Sequence, residues 1–246
     1  MAKLEEGAGA LLGGLPIPKR YPTEWHARLE YAAHEYFERA GVEPHLQSEF
    51  RAAWRAVVHR FVAADESAVG LAESLGCHGD APPQPERYLQ ERDFFHFVVN
   101  SVACLEALHY GIYAWGACRQ LRGFALSTEK ARRKVCDSRT LAAVSEVEGT
   151  KALADALNHM QTSDPYVELR NARVVLFHRC LPGRHVSAST CGRPSQPSRY
   201  ADFGELAGPD ISPNVVCSRL HWLSDCLERV ISLAADWVEH TSAVAS

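Results

Sequence analysis

The chain has no run of eighteen or more uninterrupted apolar residues, and its first residues carry no basic stretch followed by a compact apolar segment and a cleavage site. Neither a membrane span nor an export signal is expected, which points to the cytoplasm, where thiols stay reduced. The eight cysteines, at 77, 104, 118, 136, 180, 191, 217 and 226, include no C-x-x-C pair. A structural zinc site of the common kind is therefore not expected. The nearest grouping, His178, Cys180, His185 and Cys191, is irregularly spaced, so free thiols are expected and no metal or cofactor is implied. Strand-like alternation and internal repeats are also missing. Neither sign of charge dominates: a net −4 and a pI near 6.3 give no global attraction to nucleic acid or anionic membrane. Any such attraction has to come from a local patch.

What the chain does contain is helical periodicity over most of its 246 residues, 46% of them hydrophobic. Trp25, Leu29, Ala32, Ala33, Tyr36 and Phe37 follow Pro22-Thr23 and stop at Gly41. Phe50, Trp54, Val57, Val58, Phe61 and Val62 continue towards Leu71 and Leu75 before Gly76 and Pro82-Pro83. After Pro85 a wide stripe from Leu89 to Trp115 predicts a central helix. Ser127 to Asp137 is a basic amphipathic piece, and Leu141 to Met160 predicts helix on either side of Gly149-Thr150.

Asp164-Pro165 is a helix start, because the residue before proline leaves helical geometry and proline suits the first helical position. Leu181-Pro182-Gly183 ends that helix. A Ser-, Pro- and Gly-rich stretch then runs over 183–213, and Ser212-Pro213 opens a last helix through Val216, Leu220, Leu223, Leu227, Val230, Ala234 and Trp237. The expectation is an all-α bundle of about six to seven helices with a long loop before the C-terminal helix. Residues 1–20 read as a flexible arm, 21–84 as N-terminal helices packing on the core, and 85–240 as the principal helical domain.

The segment Leu169-Arg170-Asn171-Ala172-Arg173-Val174-Val175-Leu176-Phe177-His178-Arg179 stands apart. From Pro165 to Arg199 there are six arginines and one acid, Glu168, a net +5 in an acidic chain. Arginine without lysine favours planar, bidentate contact with phosphate or carboxylate. The plainer alternative is a set of surface arginines pairing with acids elsewhere in the fold. At about 100° per residue, Asn171 and His178 are nearly eclipsed, Arg170 lies about 80° from His178 and Arg173 about 140°. Arg170, Asn171 and His178 can therefore share one face. Arg173 reaches it by stretching around the helix or across to a partner chain. Histidine moves protons near neutral pH, and a guanidinium stabilises a pentacoordinate phosphate.

A helix carrying arginine, a polar residue and then histidine resembles the signature of the HEPN superfamily. The central run Phe94-Phe95-His96-Phe97-Val98-Val99-Asn100-Ser101-Val102-Ala103-Cys104-Leu105-Glu106-Ala107-Leu108 is similar to that family's early core helix, and with the final helix the resemblance covers about residues 85 to 240. Two registers are open. Arg173 precedes His178 by a four-residue gap but is followed by Val174; Arg170 is followed by Asn171 but leaves seven intervening residues. The resemblance implies metal-independent cleavage of single-stranded RNA, with His178, Arg173, Arg170 and Asn171 as catalytic candidates and Arg179, Arg184 and Arg193 as substrate-binding ones. Phe177 and Tyr200 are candidate stacking surfaces. It also implies a homodimer, an RNA or a protein partner such as an antitoxin, and no membrane.

Two other readings start from the same residues. Glu106-x-x-His109 has the spacing used in two-metal helical bundles, with Asp93-x-x-His96 as a poor second copy. The larger rival is a non-catalytic binding or scaffold protein whose Arg-rich helix and loop hold a protein or nucleic acid.

Overall fold

The computed structural model describes residues 11–12, 15–178, 184–185, 198–200 and 210–243. Its architecture is all-α, with eight helices among the described residues: α1 (Thr23–Ala40), α2 (Pro44–His78), α3 (Gln84–Cys118), α4 (Glu129–Arg132), α5 (Asp137–Ser145), α6 (Lys151–Thr162), α7 (Asp164–His178) and α8 (Pro213–Ala243). No helix is long and apolar enough to cross a membrane among these residues.

Local chemistry sets the boundaries. Gly41 ends α1 in the left-handed region at φ +59°, which a side chain would disfavour. The Ser212 hydroxyl accepts the Val215 amide at 3.3 Å, and Pro213 fills the first position of α8. Gly149, at φ +83°, separates α5 from α6. The basic piece at 127–137 forms only one turn of helix. Thr128 caps it by accepting the Ala131 amide at 3.1 Å, but Lys130, Arg132, Arg133 and Lys134 crowd like charges into that turn and Cys136 is already extended at φ −146°.

The strands are short. β1 (Leu11–Leu12) pairs with β2 (Leu15–Pro16), and β3 (Arg184–His185), β4 (Ser198–Tyr200) and β5 (Asp210–Ile211) form an antiparallel set in the order β3-β4-β5. The described parts of the expected 183–213 loop are thus paired, Arg184 opposite Tyr200 and Ser198 opposite Ile211. At two or three residues each, these strands are too short to bury a face of their own.

The chain divides into two compact units that interleave along the sequence. The first is built from Val62–Val102 and Asp164–Leu223, the second from described residues of Gly7–Phe61, Ala103–Ser163 and Ser224–Ser246. Helices α2, α3 and α8 each contribute residues to both. The first unit buries Leu71, Leu75, Phe94, Phe97, Tyr166, Leu169, Val216 and Leu220. Within it the Gln90 amide donates to the Gly79 carbonyl at 2.9 Å, satisfying the chain just past the end of α2.

The second unit is built on aromatic packing. Phe50 lies 5.5 Å from Phe37, 6.1 Å from Trp54 and 5.8 Å from Trp115 between ring centroids. Each such ring contributes about 1.5–3 kcal/mol by leaving water. Two glycines of α3 admit this packing. A Cβ on Gly111 would stand 3.0 Å from the Trp54 indole, and one on Gly116 would stand 2.2 Å from the Phe124 ring.

Candidate functional site

Helix α7 presents two contrasting faces. Tyr166, Leu169, Ala172 and Val175 are buried at i, i+3, i+6 and i+9, which fixes the helix against the core of the first unit. Glu168 accepts from Arg219 of α8, with Arg219 Nε at 3.1 Å from Oε2. The single acid of the 165–199 stretch is therefore held by an arginine from outside it.

The outward face carries Val167 at 45% exposure and Val174 at 44%, with exposed Arg170 and half-buried Asn171 between them. Val167, Asn171 and Val174 fall within about 60° around the helix axis. Arg173 is half-buried. Of the candidate catalytic residues, Arg170, Asn171 and Arg173 are thus placed on α7, and His178 is its last residue, its side chain outside the described residues. The side chains of Phe177 and Tyr200 lie outside them too, as do Arg179 and Arg193 entirely. Arg184 is described only as backbone, in β3. The His178, Cys180, His185 and Cys191 grouping likewise falls outside the described side chains.

The cavity against α7 is small. Lined by Phe94, Phe97, Leu169, Ala172 and Val216, it holds about 20 Å³, room for about one water and far below the several hundred Å³ of a small-molecule site. A ligand recognised by this face is met on its surface. In the second unit an open depression of about 320 Å³ runs along the start of α2, lined by Gln47, Ser48, Arg51 and Arg55.

The two-metal reading of Glu106-x-x-His109 meets a closed network instead. Glu106 is exposed, while His109 is 1% exposed. His109 Nδ1 lies 2.7 Å from the Leu105 carbonyl, which can only accept, so Nδ1 carries the proton. Gln161 Nε2 donates to the Asp137 carbonyl at 3.2 Å and to His109 Nε2 at 2.9 Å. Both ring nitrogens are occupied and the imidazole is neutral. Burial depresses its pKa below the ordinary value. No group of three or more His, Cys, Asp or Glu side chains is placed to hold a metal among the described residues.

A second buried histidine escaped the sequence reading. His26 is fully buried, with its Nδ1 2.6 Å from the Tyr21 hydroxyl and its Nε2 3.3 Å from Glu30 Oε1. The Nε2 contact lacks the alignment of a hydrogen bond. Contact with His26 holds the Glu30 carboxyl below its usual range, against the cost of burial, with Arg55 and Arg51 adding to the effect. Burial pushes the Tyr21 phenol well above its ordinary value. Tyr21 is 3% exposed and His26 fully buried, so neither ring is open to a substrate, and their contact ties the segment before α1 to that helix, with Glu30 part-exposed beside them. The polar partners of His26 lie within five residues of it, but its burial comes from packing against distant residues such as Trp54, 5.7 Å away between ring centroids, which one sequence does not display.

No family model matches the chain, and no curated protein or solved structure shows significant similarity to it.

Proposed function

We propose that the chain is a HEPN-like endoribonuclease that cleaves single-stranded RNA without a metal, using the Arg-Asn-Ala-Arg…His run of α7. The observation that carries this reading is the outward placement of Arg170 beside Asn171 on a helix whose other face is packed into the core. A cation and an amide on the outward face of a helix, with a cavity of only about 20 Å³ on its inner side among the described residues, suit a polymer. In the reaction His178 serves as general base, taking the proton of the ribose 2′-hydroxyl, or as general acid, giving one to the leaving 5′-oxygen, with water exchanging the other proton, while the 2′-oxygen bonds to the adjacent phosphorus and the bond to the 5′-oxygen breaks. The products are a 2′,3′-cyclic phosphate and a 5′-hydroxyl end. Arg170 or Arg173 stabilises the phosphorane charge, Asn171 orients the histidine or a phosphate oxygen, and Arg179, Arg184 and Arg193 hold the strand. A homodimer would let Arg173 serve the facing subunit.

One feature favours a second reading, a non-catalytic binding protein. Val167 and Val174 bracket Asn171 on the same exposed stripe, and apolar positions seven apart on a helix suit a helical protein partner, an antitoxin or a second copy. The two readings separate when single-stranded RNA is incubated with the protein in EDTA beside His178→Ala. The nuclease requires cleavage to cyclic phosphate ends that the variant loses; identical products from both proteins, or none across several substrates, leave the binding reading.

A further inference from the structure

Residues 119–139 of the second unit carry seven Lys and Arg against two acids, Glu129 and Asp137, a net +5 within a chain of net −4. These acids do structural work. Glu129 receives Arg132 at 3.2 Å and Arg133 at 2.9 Å, and Asp137 accepts the Ser138 amide at 2.8 Å at the start of α5. Glu49 from α2 accepts the Tyr110 hydroxyl at 2.8 Å and lies 3.5 Å from Arg132, tying the α4 turn to its neighbours. The segment is thus held in shape with Arg122, Lys130 and Lys134 exposed.

We propose that this turn is a contact surface for the phosphate backbone of a double-stranded nucleic acid, recognised without regard to sequence. The occupant follows from what the surface lacks. Its one aromatic residue, Phe124, is 6% exposed, so it has no platform on which unpaired bases could stack. None of the exposed large hydrophobic residues falls within it, which removes both the apolar wedge that a membrane-binding segment inserts and the buried anchor that a protein interface needs. Exposed cations carried on a held turn, without apolar or aromatic anchors, match regularly spaced phosphates. The surface is independent of the chemistry proposed for α7 and stands or falls separately.

The test is the salt dependence of binding by the full chain to a fluorescent duplex of about 20 base pairs, as DNA and as RNA, compared with R122Q/K130Q/K134Q. The slope of log affinity against log salt should fall by about 2 to 3 in the variant, so that the wild type loses about 16- to 64-fold more affinity than the variant between 50 and 200 mM salt. The charge-conserving R122K/K130R/K134R should keep the wild-type slope, which excludes misfolding as the cause. Equal slopes for wild type and the glutamine variant overturn the proposal. So does a slope lost only in R170Q/R173Q, absence of duplex binding at low salt, or binding confined to phosphatidylserine vesicles or polyglutamate.

Discussion

Residues 119–139 and 165–199 each carry a net +5, but the charge is supported in different ways. In 119–139 the scaffold is visible at each end and in the middle: Phe124 is buried against Tyr113 at 5.0 Å, Glu49 and Glu129 fix the α4 turn, and the Asp137 carbonyl receives Gln161 from the His109 network. In 165–199 the described support is the buried face of α7 and the Glu168–Arg219 pair, with a histidine at the helix end. One region reads as an ordered patch of charge. The other carries, at the end of its helix, the histidine to which the proposed function assigns the proton transfer. Equal net charge therefore does not imply equal function; the residues that share its surface decide.

The largest effect that sharpens this contrast is on chemistry. His178→Ala should lower RNA cleavage by on the order of 10²- to 10⁴-fold, whereas Arg122→Gln with Lys130→Gln and Lys134→Gln should leave cleavage of a short single-stranded substrate within about twofold, since no general acid or base is touched. Rate measurements on matched oligonucleotides check both, and a large loss in the second variant would break the distinction between the two regions.

Next comes the rear anchor of the 119–139 segment. His109→Ala leaves the Leu105 carbonyl and the Gln161 amide short of a partner and opens a void, costing about 2–4 kcal/mol by chemical denaturation. The same group sets a pH dependence. Its folded pKa lies below its unfolded value of 6.5, so the unfolded chain binds the proton more readily and stability falls as pH drops below about 6.5. A His109→Gln variant should lose that part of the pH dependence, and an unchanged profile would contradict the neutral assignment.

At the front anchor, Gly116→Ala drives a methyl group into the Phe124 ring and should cost about 1–3 kcal/mol, read as a lower thermal midpoint. The smallest effect belongs to the middle. Glu49→Gln keeps a partner for Tyr110 while removing the ionic contact with Arg132, a part-exposed pair worth at most about 1 kcal/mol.

Much of the fold was legible because it is local. The 3.6-residue stripes, Gly41, Gly149, Asp164-Pro165 and Ser212-Pro213 placed the helices, since a cap or a break acts on residues within one turn. The reduction of the basic piece to the four residues of α4 was less legible, as periodicity does not count like-charge repulsion. The pairing of Arg184 with Tyr200 and Ser198 with Ile211 joins residues that no short window contains. For the site, helical geometry put Asn171 beside Arg170, but Val174 and Val175, adjacent in sequence, part company at 44% and 1% exposure. Which side of α7 faces the core depends on α3 and α8, and a single helix cannot declare its neighbours. The closed surroundings of His109 were illegible for the same reason: its partners come from positions 105 and 161, and Gln161 in turn reaches 137.

The bridge through Gln161 has a kinetic meaning. Its side-chain amide joins a histidine of α3 to the first carbonyl of α5 while its own backbone belongs to α6, so withdrawing that one side chain uncouples three helices together. Hydrogen exchange in the interior of α5 and in the last turn of α6 should therefore proceed through a shared opening, with protection factors that fall in step when Gln161 is shortened to alanine.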